Sequence, residues 1–90
     1  MRLDLFLKQS RLVPRRTLAQ EMCEAGAVRV NGAPAKSSRE VRAGDRIAIK
    51  QRGRITTASV LQIPLRPPSK ADAASLYEIL GVEEYDDLLS

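Results

Sequence analysis

The sequence has no histidine, no tryptophan and one cysteine in 90 residues, and aromatic residues make up only 3% of it. Each shortage closes off a chemistry. Without histidine there is no imidazole to act as a general base or a zinc ligand, and Cys–His nucleophiles are excluded. A single cysteine cannot form an internal disulfide, so nothing marks an oxidising compartment. No apolar run approaches the roughly 20 residues that cross a bilayer. The opening MRLDLF contains Asp4 and no long apolar stretch, unlike a signal peptide. There is no glycine-rich phosphate loop. We therefore expect a cytoplasmic protein that is not an enzyme and uses no metal or cofactor. With so few aromatics the core must be aliphatic. At 43% hydrophobic residues, a chain of this length is expected to fold as one small domain.

Basic charge is what the sequence does have, and it is unevenly placed. The net charge is +4. Residues 1–66 hold fourteen Lys/Arg against five Asp/Glu, or +9, whereas residues 67–90 hold one lysine against six acids, or −5. A basic body of this size is the footprint expected of a polyanion binder. The plainer alternative is a solvated surface with an acidic tail.

Periodicity outlines the elements. Leu3, Phe6 and Leu7 fall on one face of a helix over residues 3–9. A second helix over 15–25 places Leu18, Met22 and Ala25 together, with Ala19 and Cys23 widening the apolar side. Pro14 suits its first turn, and Gly26 ends it. Cys23 reads as a small buried hydrophobe rather than a reactive thiol. Val28-Arg29-Val30 then alternates, and Asn31-Gly32 is a strong two-residue hairpin signal. Residues 33–36 form the return strand, and Pro34 puts it at a sheet edge. After a turn at Gly44-Asp45, a strand over 46–50 points Ile47 and Ile49 inward. A turn around Gly53 leads to a strand over 55–63. Arg66-Pro67-Pro68 breaks the chain. Ser69 with Asp72 resembles a capping box that opens a third helix over 70–80, with Ala73, Leu76, Tyr77 and Leu80 as its stripe and Gly81 as its end. Tyr77 is either core or a base-stacking platform. The acidic segment after it either docks on the body or is disordered. The expected fold class is α+β, with helices on one side of a small antiparallel sheet.

Arg15 and Arg16 fall where a helix N-terminus disfavours cations by roughly 0.3–1 kcal/mol. A phosphate removes the conflict, because the free N–H groups and both guanidiniums can bind it together. Arg2, Lys8 and Arg11 lie near in sequence, and Thr17 and Gln20 offer neutral donors. Arg29, Lys36 and Arg39 could extend this patch from the hairpin. Asp4 inside it either holds an arginine or backbone N–H in place, or contacts an RNA amino group. Asn31 is either a turn former or a ligand.

Arg2-Leu3-Asp4, Arg15-Arg16, Gly26, the Val28–Gly32 hairpin and Gly44-Asp45 occur in an order and spacing that resembles the RNA-binding domain named after ribosomal small-subunit protein four, the S-four domain. The resemblance implies an S-four-type (alpha-L) RNA-binding fold over residues 1–65. Two N-terminal helices would lie on the sheet. Residues 66–90 would add a C-terminal helix and acidic tail, packed on or trailing from the same domain. It also implies structural roles for Asp4, Gly26, Asn31, Gly32, Gly44 and Asp45. SRLVPRRTLAQEM and SKADAASLYEIL are similar to short stand-alone members of the family, which bind large ribosomal subunits obstructed by peptidyl-tRNA. The length is nearer to the quality-control group than to the heat-shock group, whose basic tail is longer. The implied partners are rRNA of the large ribosomal subunit, peptidyl-tRNA and a nascent-chain elongation factor. No membrane is involved, and a monomer is expected when free. The competing reading is a regulatory accessory subunit that docks on a protein, or binds other structured RNA or DNA.

Overall fold

The structure, a computed structural model, describes residues 1–85. Two helices, α1 (Leu3–Gln9) and α2 (Arg16–Glu24), precede strands β1 (Val28–Val30), β2 (Ala33–Pro34), β3 (Arg46–Gln51) and β4 (Arg54–Val60). A short α3 (Lys70–Ala73) runs through a 3₁₀ turn (Ala74–Leu76) into β5 (Tyr77–Glu84). The strands form one antiparallel sheet in the order β2-β1-β3-β4-β5. This is the expected α+β class, and Pro34 does sit on an edge strand.

The core forms where the two periodicities meet. Register pairs Val28 with Ile49 and Val30 with Ile47, so four branched residues share one sheet face. Leu3, Phe6 and Leu7, each fully buried, close over that face from α1. Each such side chain contributes about 1.5–3 kcal/mol. Cys23 is buried among them. Burial, and then the charge of Asp4, push its thiol above the usual value, so it stays protonated and unreactive at neutral pH.

The two tight hairpins share one geometry. Asn31 and Gly32 have φ of 52° and 85°, and Arg52 and Gly53 have φ of 52° and 75°. Both pairs match the type I′ turn, which suits the twist of adjoining strands. Asn31 does more than turn the chain. Its amide donates to Asp45 Oδ1 at 3.1 Å and accepts from the Arg46 N–H at 2.9 Å. Asp45 in turn accepts from the Arg42 N–H at 2.9 Å. That bond first, with Asn31 and the charges of Arg39 and Arg42 behind it, outweighs burial and holds the carboxyl below its usual range. The two turn motifs, distant in sequence, are thus one clamp.

The expected third helix is corrected. Ser69 caps α3, accepting from the Asp72 N–H at 3.2 Å, but the helix stops at Ala73 and residues 77–84 pair with β4. Ala73 and Leu76 are buried as the stripe required, Tyr77 packs half-buried against the core, and Leu80 is exposed. The cause is non-local. Without β5, the ladder groups of β4 would be an open edge, and Tyr77, Ile79 and Val82 are good strand formers. Gly81 ends no helix; it lies where the β4–β5 register shifts, opposite Thr57, a usual place for glycine in a strand. Pro14 is also corrected: it precedes α2, whose N-cap is Arg15. The strand expected over 55–63 stops at Val60, because Leu61 N–H turns to the Leu76 carbonyl at 2.8 Å.

Candidate nucleic-acid interface

The start of α1 is built around Asp4, whose side chain has no exposed surface. Its carboxylate accepts from Gln20 Nε2 at 2.8 Å, from Arg2 Nε at 3.2 Å and from Arg16 Nε at 3.3 Å. The Leu5 N–H adds a bond at 2.8 Å. Burial alone would raise this carboxyl. The bonds from Gln20, Arg2, Arg16 and Leu5 outweigh it and hold the group below its usual value. One ionised carboxylate therefore ties α1 to α2 and aims two guanidiniums. Arg2 and Arg16 keep 50% and 43% of their side-chain surface exposed, so both can still meet a ligand. Arg16 uses only Nε on Asp4, and its other two nitrogens make no hydrogen bond among the described residues.

The loop after β2 docks on the same helix start. Leu3 N–H donates to the Arg39 carbonyl at 2.7 Å, and Asp4 N–H to the Ser37 carbonyl at 3.1 Å. These bonds satisfy two donors that a helix start leaves open. They also bring the backbone that carries Lys36 and Arg39 beside Arg2.

The start of α2 lacks such satisfaction. Arg15 has the extended geometry of an N-cap, with φ −138° and ψ 145°, yet its side chain accepts nothing and no acid occupies the first turn. Arg15 and Thr17 are exposed. Lys8 and Arg11 share a hollow with Pro14, one residue before that cap. Open N–H groups, a helix dipole and cations converge here without a carboxylate at the cap, an arrangement that suits an anion.

Sequence comparison places this geometry among known proteins. The S4 domain profile matches residues 1–47. The chain belongs to the S4 domain family. It is 43% identical over 79 residues to the RQC P-site tRNA stabilizing factor of Halalkalibacterium halodurans, covering 88% of this chain and 89% of that protein. Against the factor of that name from Helicobacter pylori strain 26695 it is 50% identical over 64 residues, or 71% and 76% of the two chains. Its fold superposes on the trimeric heat shock protein 15 of Vibrio cholerae with a TM-score of 0.81 at 33% identity, covering 88% of this chain and 80% of that one.

The S4 match spans α1, α2, β1, β2 and the first two residues of β3, and so includes both the Asp4 cluster and the Asn31–Asp45 clamp. Not every basic residue singled out from sequence joins this S4 surface. Arg29 alternates away from Val28 and Val30, and lines a separate hollow with Ala48 and Lys50. Gln20, expected to face RNA, is turned inward and donates to Asp4 Oδ2 at 2.8 Å. Arg52 and Arg54 escape a reading by sequence, because only the folded sheet brings the β3–β4 turn beside Arg11. Among the described residues, no helix is long and apolar enough to cross a membrane.

Proposed function

We propose that this S4 protein binds rRNA of the large ribosomal subunit and acts, without catalysis, in the quality control of stalled subunits by stabilising P-site peptidyl-tRNA. The observation that carries the reading is the uncapped start of α2, where Arg15, Arg16 and open N–H groups form an anion site. Asp4 orients Arg16 and Arg2 toward the same surface. Phosphates fit such a site, and paired RNA is recognised largely through shape, sugars and phosphates. Relatives named for stabilising P-site tRNA, at 39–50% identity, supply the ribosomal setting. On this reading the protein works in the cytoplasm, where the subunits are.

Arg2, Arg15, Arg16, Thr17, Lys36 and Arg39 would contact backbone phosphates and sugars near the helix starts, with Lys8 and Arg11 flanking them. Gln20 and Asp4 would hold that set in place. Co-sedimentation tests the reading. The protein should migrate with large subunits carrying peptidyl-tRNA and lose that association after RNase treatment. RNase-resistant association with a soluble protein would instead favour an accessory subunit.

A further inference from the structure

Arg11 and Arg52 are far apart in sequence, yet both take a backbone conformation that disfavours side chains. Their φ values are 64° and 52°. Arg11 follows Ser10, the C-cap of α1, at the position where glycine is the usual occupant. Arg52 opens a type I′ turn, where asparagine, aspartate or glycine is usual. A Cβ at such φ crowds the following carbonyl. Neither local geometry explains an arginine.

The fold brings these two residues to one place. With Arg54 they line a groove of about 540 Å³ between the end of α1 and the β3–β4 hairpin. Leu12 and Ile49 contribute apolar lining, and Gln51 and Thr56 contribute polar groups. No carboxylate among the described residues lines the groove. Among the described residues, Arg11 and Arg52 make no ion pair, and Arg54 has only Glu84 at 3.7 Å, both side chains being largely exposed. Of the three guanidiniums only Arg54 has a carboxylate partner among the described residues, the largely exposed Glu84; the cluster is therefore under-compensated in the free protein, and a polyanion reverses that balance. Guanidinium is also the side chain that grips phosphate with two parallel hydrogen bonds.

We propose that this groove is a second RNA-backbone site, in which Arg11, Arg52 and Arg54 hold phosphates of a stretch of structured RNA beyond the one bound at the start of α2. Arg11 also borders the hollow beside Pro14, so the two basic surfaces meet at its side chain. The protein then grips RNA along two directions, which fixes its orientation on a folded surface better than one phosphate site can. The proposal rests on the RNA-binding reading above.

The paired substitution Arg11→Gly with Arg52→Asn separates charge from fold. Both replacements suit the backbone angles at least as well as arginine, so the thermal midpoint should hold or rise. Affinity for isolated large ribosomal subunits should fall about tenfold at low salt. The slope of log affinity against log salt should shrink by about 1.5, the share of two lost phosphate contacts. Wild-type affinity and slope in the variant would overturn the groove and leave the α2 site standing. Failure of the wild-type protein to bind subunits at all would overturn both.

Discussion

At the scale of single residues, Asp4 is the acid that makes a basic surface usable. Arginines near one another would splay into water; a buried carboxylate grips Arg2 through Nε and Nη2 and Arg16 through Nε alone, and leaves both side chains partly exposed. Its depressed pKa carries a sign for stability. The ordinary value is 3.8, and the folded value lies lower, so the contribution is complete above that point and is lost as pH falls through the folded pKa. Asp4→Asn should therefore lower stability at neutral pH by about 1–3 kcal/mol, a range set by charged hydrogen bonds whose arginine partners can turn to solvent. Thermal melts of both proteins from pH 7 down to about 2.5 should show the gap closing below pH 3.8. A gap independent of pH would mean that the charge of Asp4 has no structural role. Arg16 has a double position, toward Asp4 and toward solvent, so Arg16→Ala should reduce both stability and RNA affinity. Arg15→Ala, which breaks no such tie and supplies no cap, should reduce affinity alone.

At the scale of elements, glycine and register decide where segments end. Gly26 has φ 74° with nothing within 4 Å of a Cβ built there. Gly26→Val should therefore cost about 1–2 kcal/mol from backbone strain alone, read as a lower thermal midpoint with RNA affinity retained below the transition. The first two helices and the Asn31–Gly32 hairpin were legible because their signals are local: an apolar stripe, a glycine stop, an Asn-Gly turn. The end of the chain was not. Ala73, Leu76 and Tyr77 satisfy a helical stripe, but the open ladder of β4 lies in another element, and it is what draws residues 77–84 into a strand. Hydrogen exchange should find amides of β5 protected together with those of β4; rapid exchange throughout 77–84 would contradict the pairing. The interface was legible to a similar degree. The run of basic residues up to Arg16 marks the helix start, while Arg29 alternates onto another face and Arg52 reaches Arg11 only through the sheet.

At the scale of the whole molecule, the +9 over residues 1–66 and the −5 over residues 67–90 have different addresses. Glu83 and Glu84 lie on β5, and Tyr85 N–H donates to the Gly53 carbonyl at 2.9 Å, so the acidic end of the sheet borders the β3–β4 turn. The expectation of a docked or disordered tail covered residues 82–90: residues 82–84 are docked as part of β5, and residues 86–90 lie outside the described residues. Those residues include two aspartates, and exposed charges act over a Debye length of roughly 8–10 Å near physiological salt. A chain ending at Tyr85 keeps β5 whole. It should bind an unrelated RNA duplex several-fold more tightly at low salt, with a smaller gain on large subunits, in parallel salt titrations. Equal gains on both RNAs would leave the tail without a part in specificity.

On the proposed function, the start of α2 keeps an arginine at its cap for a phosphate rather than for the fold. Serine is a far better N-cap, worth about 1 kcal/mol, so Arg15→Ser should act in opposite directions on the two properties. The decisive measurement is the affinity of Arg15→Ser for large subunits carrying peptidyl-tRNA, taken alongside its thermal midpoint. The midpoint should rise by a few degrees and the affinity should fall about tenfold. Unchanged affinity with a raised midpoint would contradict the proposal, because the arginine would then serve neither the helix nor the RNA.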